Sequence, residues 1–260
     1  MATSRFELYE KAGWYWRLVD EYGRIVASSF RYGSKANAKK AAQKAKDAAA
    51  EAAIIEARPD VDVTAVAGSA FGASLDITIS GLGSIATPPT PSVSLTPSGG
   101  NLAKTAPKVS AGPGGLFLSS GLLRASSQGA VGPSGSSACA AALTEVDVLG
   151  ATLTAASIKS TCAANETGAT ATTTLDGAML VLDDEQVLSL ATAPAPNTTL
   201  QGTNADTGDT FTVILNEQVA AKGGITVTAV HIILNGPTAK GDIFLAQSQC
   251  AVTTSAPRSR

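Results

Sequence analysis

Residues 138–162 read ACAAALTEVDVLGATLTAASIKSTC, and their pattern decides the class of most of the chain. On either side of Gly150-Ala151 the residues are mostly small, aliphatic or threonine, with no helical period. This predicts two strands, 138–149 and 151–162, with a turn between them. If Gly150-Ala151 is a two-residue hairpin turn, Cys139 stands directly opposite Cys162. Outward from there the same reading predicts strands at 61–67, 73–79, 116–125, 169–182, 198–200, 210–218, 225–234 and 242–252. A stretch at 87–115 carries Pro88, Pro89, Pro91, Pro97, Pro107 and Pro113, and predicts irregular chain with extended pieces. Many short strands with no helical period favour a β-sandwich or β-solenoid over a βαβ fold, and an antiparallel β-sandwich is the leading expectation.

The composition changes near residue 60. Residues 1–60 hold 11 Lys/Arg and 8 Asp/Glu, and the remaining 200 hold 8 and 13. Both Trp and all four Tyr precede residue 33, whereas residues 61–260 hold 27 Thr and only Phe71, Phe117, Phe211 and Phe244 as aromatics. Two domains are expected, 1–60 and 61–252, with a disordered tail at 253–260. The net charge of −2 argues against a nucleic-acid binder working by bulk charge. No apolar run approaches the length of a membrane span. One His and three Cys exclude most four-ligand zinc arrangements. The start, MATSRFELYEKAGWYW, has no apolar core of a secretory leader.

Residues 1–60 read as three strands and a helix, an α+β unit of βββα order. Strands are expected at 6–10, 14–20 and 24–30, with Trp14, Trp16 and Leu18 on one face and a turn at Asp20-Glu21-Tyr22-Gly23. Ser34 is a good N-cap for a helix from Lys35 to about residue 55, closed by Arg58-Pro59-Asp60. Its alanines, Ala38, Ala42, Ala45 and Ala49 among them, form a smooth stripe for a sheet, and Lys35, Lys39, Lys40, Lys44 and Lys46 stay in water. Trp14, Trp16, Lys35 and Lys39 are the candidate interaction residues. Stacking plus phosphate contacts would suit nucleic acid, but a covered Trp face and a solvated helix are the expectation.

FELYE, WYWRLVD, GRIVASS and YGSKANAKKAAQKAKDAA resemble the YegP-like family of small domains of unknown function, over about residues 5–50. That family often carries two such units side by side, and a single one leaves a sheet face or edge to cover. SAFGASLDITISGLGSIATPPTPSVSL, VDVLGATLTAASIKSTCAA, ILNEQ, ITVTAVHIIL and GDIFLAQSQCAV resemble the choice-of-anchor P family, over roughly residues 62–252. This resemblance implies an extracellular or cell-surface β-rich domain, mainly of actinobacteria, with no known activity. A cytoplasmic location is the alternative, because no leader or sorting motif is seen. The resemblance also implies a disulfide between Cys162 and Cys250. A Cys139–Cys162 pair, from the hairpin register, and no disulfide at all stay open beside it.

His231 lies mid-strand in TAVHII and is expected to be hydrogen-bonded on a sheet face; with Glu217, which matches a position of the family, it is the candidate polar cluster. No Gly-x-Ser-x-Gly elbow or phosphate-binding loop appears. Asp183-Asp184-Glu185 and the pair Asp206 and Asp209 are read as solvated turns rather than calcium loops. No catalytic residue, metal ligand or cofactor is assigned. The expected function is a non-enzymatic structural or adhesive protein of a bacterial surface, its N-terminal unit an assembly module for a homo-oligomer or other surface proteins. A carbohydrate- or ligand-binding module is the alternative.

Overall fold

The computed structural model describes residues 4–51, 61–183, 186–204 and 208–255. Backbone contacts divide the chain into two compact units, Met1–Arg58 and Pro59–Arg260.

The first unit is a three-stranded antiparallel sheet and one helix: β1 (Arg5–Glu10), β2 (Trp14–Val19), β3 (Ile25–Ser28) and α1 (Lys35–Glu51), with sheet order β1-β2-β3. The third strand is shorter than the expected 24–30. The β2–β3 turn is organised by Asp20, whose Oδ1 accepts the backbone N–H groups of Tyr22 and Arg24, each at 2.9 Å. The Arg24 N–H is foremost in holding the Asp20 carboxyl below its usual range. Ser34 caps α1 by accepting the Asn37 N–H at 3.3 Å. The helix buries Ala38 and Ala42, and its five lysines are exposed. Residues 52–60, with the expected last helical turn and the Arg58-Pro59-Asp60 boundary, lie outside the described residues.

The second unit is all β: β4 (Asp62–Ile79), β5 (Gly83–Ser94), β6 (Gly99–Ala106), β7 (Val109–Ala111), β8 (Leu118–Ser120), β9 (Leu123–Ala130), β10 (Gly132–Pro133), β11 (Ser136–Val148), β12 (Leu153–Asn165), β13 (Gly168–Asp176), β14 (Met179–Val181), β15 (Val187–Ser189), β16 (Thr198–Thr203), β17 (Thr210–Ala221), β18 (Gly224–Asn235) and β19 (Ala239–Thr254). One sheet of seven strands runs β10-β4-β19-β18-β17-β16 with β5 on β4. The other, of nine, runs β15-β14-β12-β11-β8-β7, with β13 on β12, β9 on β11 and β6 on β9. Every pairing is antiparallel, and one apolar core lies between the sheets, as the sandwich expectation requires.

Three differences from the expected strands have physical causes. The Pro-rich stretch 87–115 is largely strand rather than irregular. Its prolines at 88, 89 and 91 sit in β5, an edge strand paired only to β4, where a missing N–H breaks no ladder. The expected strand 116–125 is two, β8 and β9, parted at Gly121-Leu122. The expected strands 61–67 and 73–79 are the single β4, because the inward face changes within it. Val66 and Ala70 point into the core on one side of Gly72, and Ala73, Leu75 and Ile77 on the other. β19 changes likewise, from Ile243 and Leu245 to Ser248, Cys250 and Val252, and β18 from Val227 to Val230, Ile232 and Leu234. Register puts the switch points in one row across the sheet: Asn216, Ala229, Ala246 and Gly72. Asn216 and Ala246 have φ of 50° and 49°. The row is a crease: each of the four strands shifts its inward face by one residue there, and the pairing register between them is kept. In the nine-stranded sheet, Glu145 (φ 52°), opposite Ala156, does the same for β11 and β12. β19 runs to Thr254, into the stretch 253–260 expected as a tail, and residues 256–260 lie outside the described residues.

The creases divide the core into two materials. One half is aliphatic, with Leu75, Ile77, Leu153, Leu180, Ile232, Ile243 and Leu245 all but fully buried. The other half mixes large aliphatics, Leu123, Leu143 and Ile158 among them, with small and sulfur-bearing groups: Ser127, Ser137, Ser160, Ser248 and the three cysteines. There Ser160 and Ser248 share a hydrogen bond of 2.7 Å between the sheets, and Cys162 and Cys250 have Cα atoms 5.9 Å apart. Stacked sheets ordinarily lie about 10 Å apart, so this half is pinched.

Candidate functional site

The single imidazole stands on the outer face of the seven-stranded sheet. Its Nδ1 lies 3.0 Å from Glu217 Oε2 and its Nε2 lies 2.9 Å from Asp242 Oδ1. Phe244, its neighbour on β19, stacks on the ring at a centroid distance of 4.2 Å. Three adjacent strands thus supply the cluster: β17, β18 and β19. Two bridges need two hydrogens among three groups, and a neutral imidazole carries one. The second comes from the ring's imidazolium form or from a carboxyl. Both ring nitrogens are engaged and the ring is almost buried, so the geometry is that of a clamp across three strands.

The crease makes this cluster. In an unbroken strand, two residues past the buried Leu215 would point into the core. The positive φ of Asn216 turns Glu217 outward instead, onto the His231 face. Asn216 is held in that conformation by donating to Pro194 O at 2.9 Å and accepting from Gln218 Nε2 at 2.9 Å. The sequence reading paired Glu217 with His231 and missed Asp242. The available signal was its place as the acidic residue of the strand preceding Ile243-Phe244, but only the β18–β19 register puts it beside the ring. His231→Leu keeps an apolar partner for Phe244 and leaves two carboxylates without a shared donor. We expect a loss of about 2 kcal/mol in urea unfolding, since hydrogen bonds to charged groups contribute roughly 1.5–3 kcal/mol. Part of it should return in the His231→Leu/Glu217→Leu double variant.

The sulfur cluster lies in the pinched half of the core. Cys162 and Cys250 are joined in a disulfide linking β12 to β19, hence one sheet to the other. Cys139 is buried and directly opposite Cys162 in the β11–β12 register, as the hairpin reading placed it. The connection is a four-residue loop, 149–152, rather than a two-residue turn, and the register is the same. Leu149, Gly150 and Ala151 all have positive φ there.

In the first unit, Lys35 Nζ sits 5.1 Å from the centroid of Trp14, and Trp16 packs on Phe6 at 5.3 Å. Lys39 is exposed. Glu7 accepts from both Arg17 and Arg5, and the Arg17 hydrogen bond is foremost in drawing its carboxyl below the usual range. Val19, Ala38 and Ala42 are the buried apolar residues of this unit among the described residues. Against that thin core stand Tyr22, Ile25, Val26 and Phe30, which are 75%, 58%, 63% and 91% exposed. They sit on and beside β3, an edge of its sheet. The sequence reading expected an uncovered sheet face or edge but named the tryptophans and not β3, whose signal is the uncharged run Ile25–Phe30.

Of the acidic turns, Asp183 accepts the Gln186 N–H at 2.8 Å. Asp209 is not simply solvated: its carboxylate accepts the backbone N–H of Thr238 at 2.8 Å and the Thr238 hydroxyl. Asp184, Glu185 and Asp206 lie outside the described residues. Near Asp209, a cavity of about 250 Å³ opens among Ile79, Leu116, Phe117, Leu149, Phe211 and Leu234.

Residues 10–56 match the model of a family described as a domain of unknown function (DUF1508), in agreement with the YegP-like resemblance of the N-terminal unit. No curated protein and no solved structure matches the chain.

Proposed function

We propose that this chain is a non-enzymatic structural or adhesive protein in which the N-terminal unit joins copies of the chain and the creased sandwich forms the body. The observation that carries the reading is the β3 edge. A strand edge offers unpaired N–H and C=O groups to another strand, and here it is coupled with four large exposed apolar side chains, against three buried apolar ones among the described residues of the unit. The occupant proposed is a second copy. An edge strand laid antiparallel on its own copy is self-complementary, so one patch satisfies both partners, and the uncharged Ile25–Ser28 brings no like charges face to face. The double carboxylate clamp on His231 supports the non-enzymatic part, because it occupies both nitrogens that acid–base work would need. The Cys162–Cys250 bridge supports an oxidising compartment, and with it the choice-of-anchor P resemblance and a surface location.

Light scattering on the full chain tests the assembly. The expected result is a mass above that of one chain that rises with concentration, and a monomer for Val26→Lys, which puts a charge on the edge at an already exposed position. A wild-type monomer at high concentration, or an unchanged mass for the variant, overturns it.

The cavity at one end of the sandwich favours a second reading, a small-ligand module. Two of the four phenylalanines of residues 61–260, Phe117 and Phe211, line it. Binding from a glycan or small-molecule panel that is lost in Phe117→Ala would establish that reading.

A further inference from the structure

The Sγ atoms of Cys139, Cys162 and Cys250 all lie within 4.8 Å of one another. Two of them form the bridge between the sheets, and the third is a free thiol in the same pinched space. The room for it is built in. A Cβ on Gly68 would stand 2.8 Å from Cys139 Sγ and 2.5 Å from Ser127 Oγ, so only glycine fits against the third sulfur. Ser127 Oγ lies 2.9 Å from Cys139 Sγ. Cys162 is the common neighbour: it is bonded to Cys250 and is the register partner of Cys139.

We propose that these three sulfurs form an internal thiol–disulfide exchange site, in which the bridge moves between Cys162–Cys250 and Cys139–Cys162. The Cys139 thiol loses its proton, and its sulfur attacks Sγ of Cys162. The Cys139–Cys162 bond forms as the Cys162–Cys250 bond breaks. The electron pair leaves on Cys250 Sγ, which takes up a proton. One disulfide and one thiol enter and one of each leaves, so no oxidant or reductant is consumed. The Ser127 hydroxyl is placed to donate to the attacking thiolate. The exchange converts a staple between the sheets into one between neighbouring strands of a single sheet, which frees the sheets from each other with no net redox change. Burial pushes the Cys139 thiol above its ordinary value, outweighing the Ser127 and Ser137 hydroxyls. The thiolate is therefore scarce in the closed fold, and exchange accompanies local opening.

The oxidised full chain, incubated with an alkylating reagent at mildly alkaline pH and warmed until one label is taken up, is mapped as peptides without reduction. Exchange distributes the single label between Cys139 and Cys250, and every Cys250-labelled molecule carries a Cys139–Cys162 cross-link. Label on Cys139 alone, with Cys162–Cys250 intact throughout, overturns the proposal. A second variant needs no labelling. Oxidative refolding of Cys250→Ser should yield the Cys139–Cys162 cross-link, and two free thiols in that refolded variant also overturn it.

Discussion

Cys162→Ala is expected to lower the stability of the sandwich unit by about 4–5 kcal/mol, and Cys250→Ala by only about 1 kcal/mol. The first variant loses both bridges that run through Cys162. The Cys162–Cys250 bridge spans a separation of 88 residues, and closing so long a loop contributes about 4–5 kcal/mol on the chain-entropy model. In the second variant Cys139 and Cys162 pair in its place. That loop spans 23 residues, 162 minus 139, and contributes roughly 3.4 kcal/mol on the same model. Urea unfolding under oxidising conditions measures both. Equal losses of about 4–5 kcal/mol would leave the staple standing and remove the exchange. No loss in either would remove the staple itself. Under a thiol reductant, wild type and both variants should converge.

Gly241→Ala is expected to cost about 2–6 kcal/mol. Gly241 lies in β19 opposite Ile77 of β4, with φ of 137°. A Cβ there would stand 2.0 Å from the backbone oxygen of Asp76 and 2.9 Å from the Ile77 Cα. Strain at such a φ costs about 1–3 kcal/mol, and the clash with backbone adds an overpacking term of about 1–3 kcal/mol. Neither neighbour can swing aside as a side chain would. Relief means parting β19 from β4 beside Asp242, which also loosens one arm of the His231 clamp. The urea midpoint of the full chain checks this, with the slope expected to hold. A loss under about 1 kcal/mol would mean that the strands do not approach as closely as described.

Much of the architecture was legible in the residues. Ser34, the lysine-lined helix and the aromatic strand marked the βββα unit, the many strands without helical period marked the sandwich, and the turn at Gly150-Ala151 marked the Cys139–Cys162 register. The crease hid the rest. It shifts the inward face by one residue in each strand that it crosses, so β4 read as two strands although nothing in Gly72-Ala73 is a turn. The same shift carries Glu217 to the outer face, and no pattern confined to one strand reveals that. Asp242 reaches His231 only through pairing of β18 with β19, a relation between strands rather than along one. Prolines at 88, 89 and 91 pointed away from strand because the reading asked what proline disrupts, and an edge strand has little there to disrupt. The pinching of the sheets was likewise invisible, since serine and alanine at inward positions read equally well as surface.

Self-pairing through β3 is the central claim, and hydrogen exchange at the backbone amides of Ile25–Ser28, followed as a function of protein concentration, tests it most directly. An edge that is covered by its own copy must gain protection as the chains associate, while the amides of β1 and β12 stay unchanged. The account predicts that exchange at β3 slows with rising concentration and that Val26→Lys abolishes the slowing. Exchange at β3 that is fast and independent of concentration would contradict it.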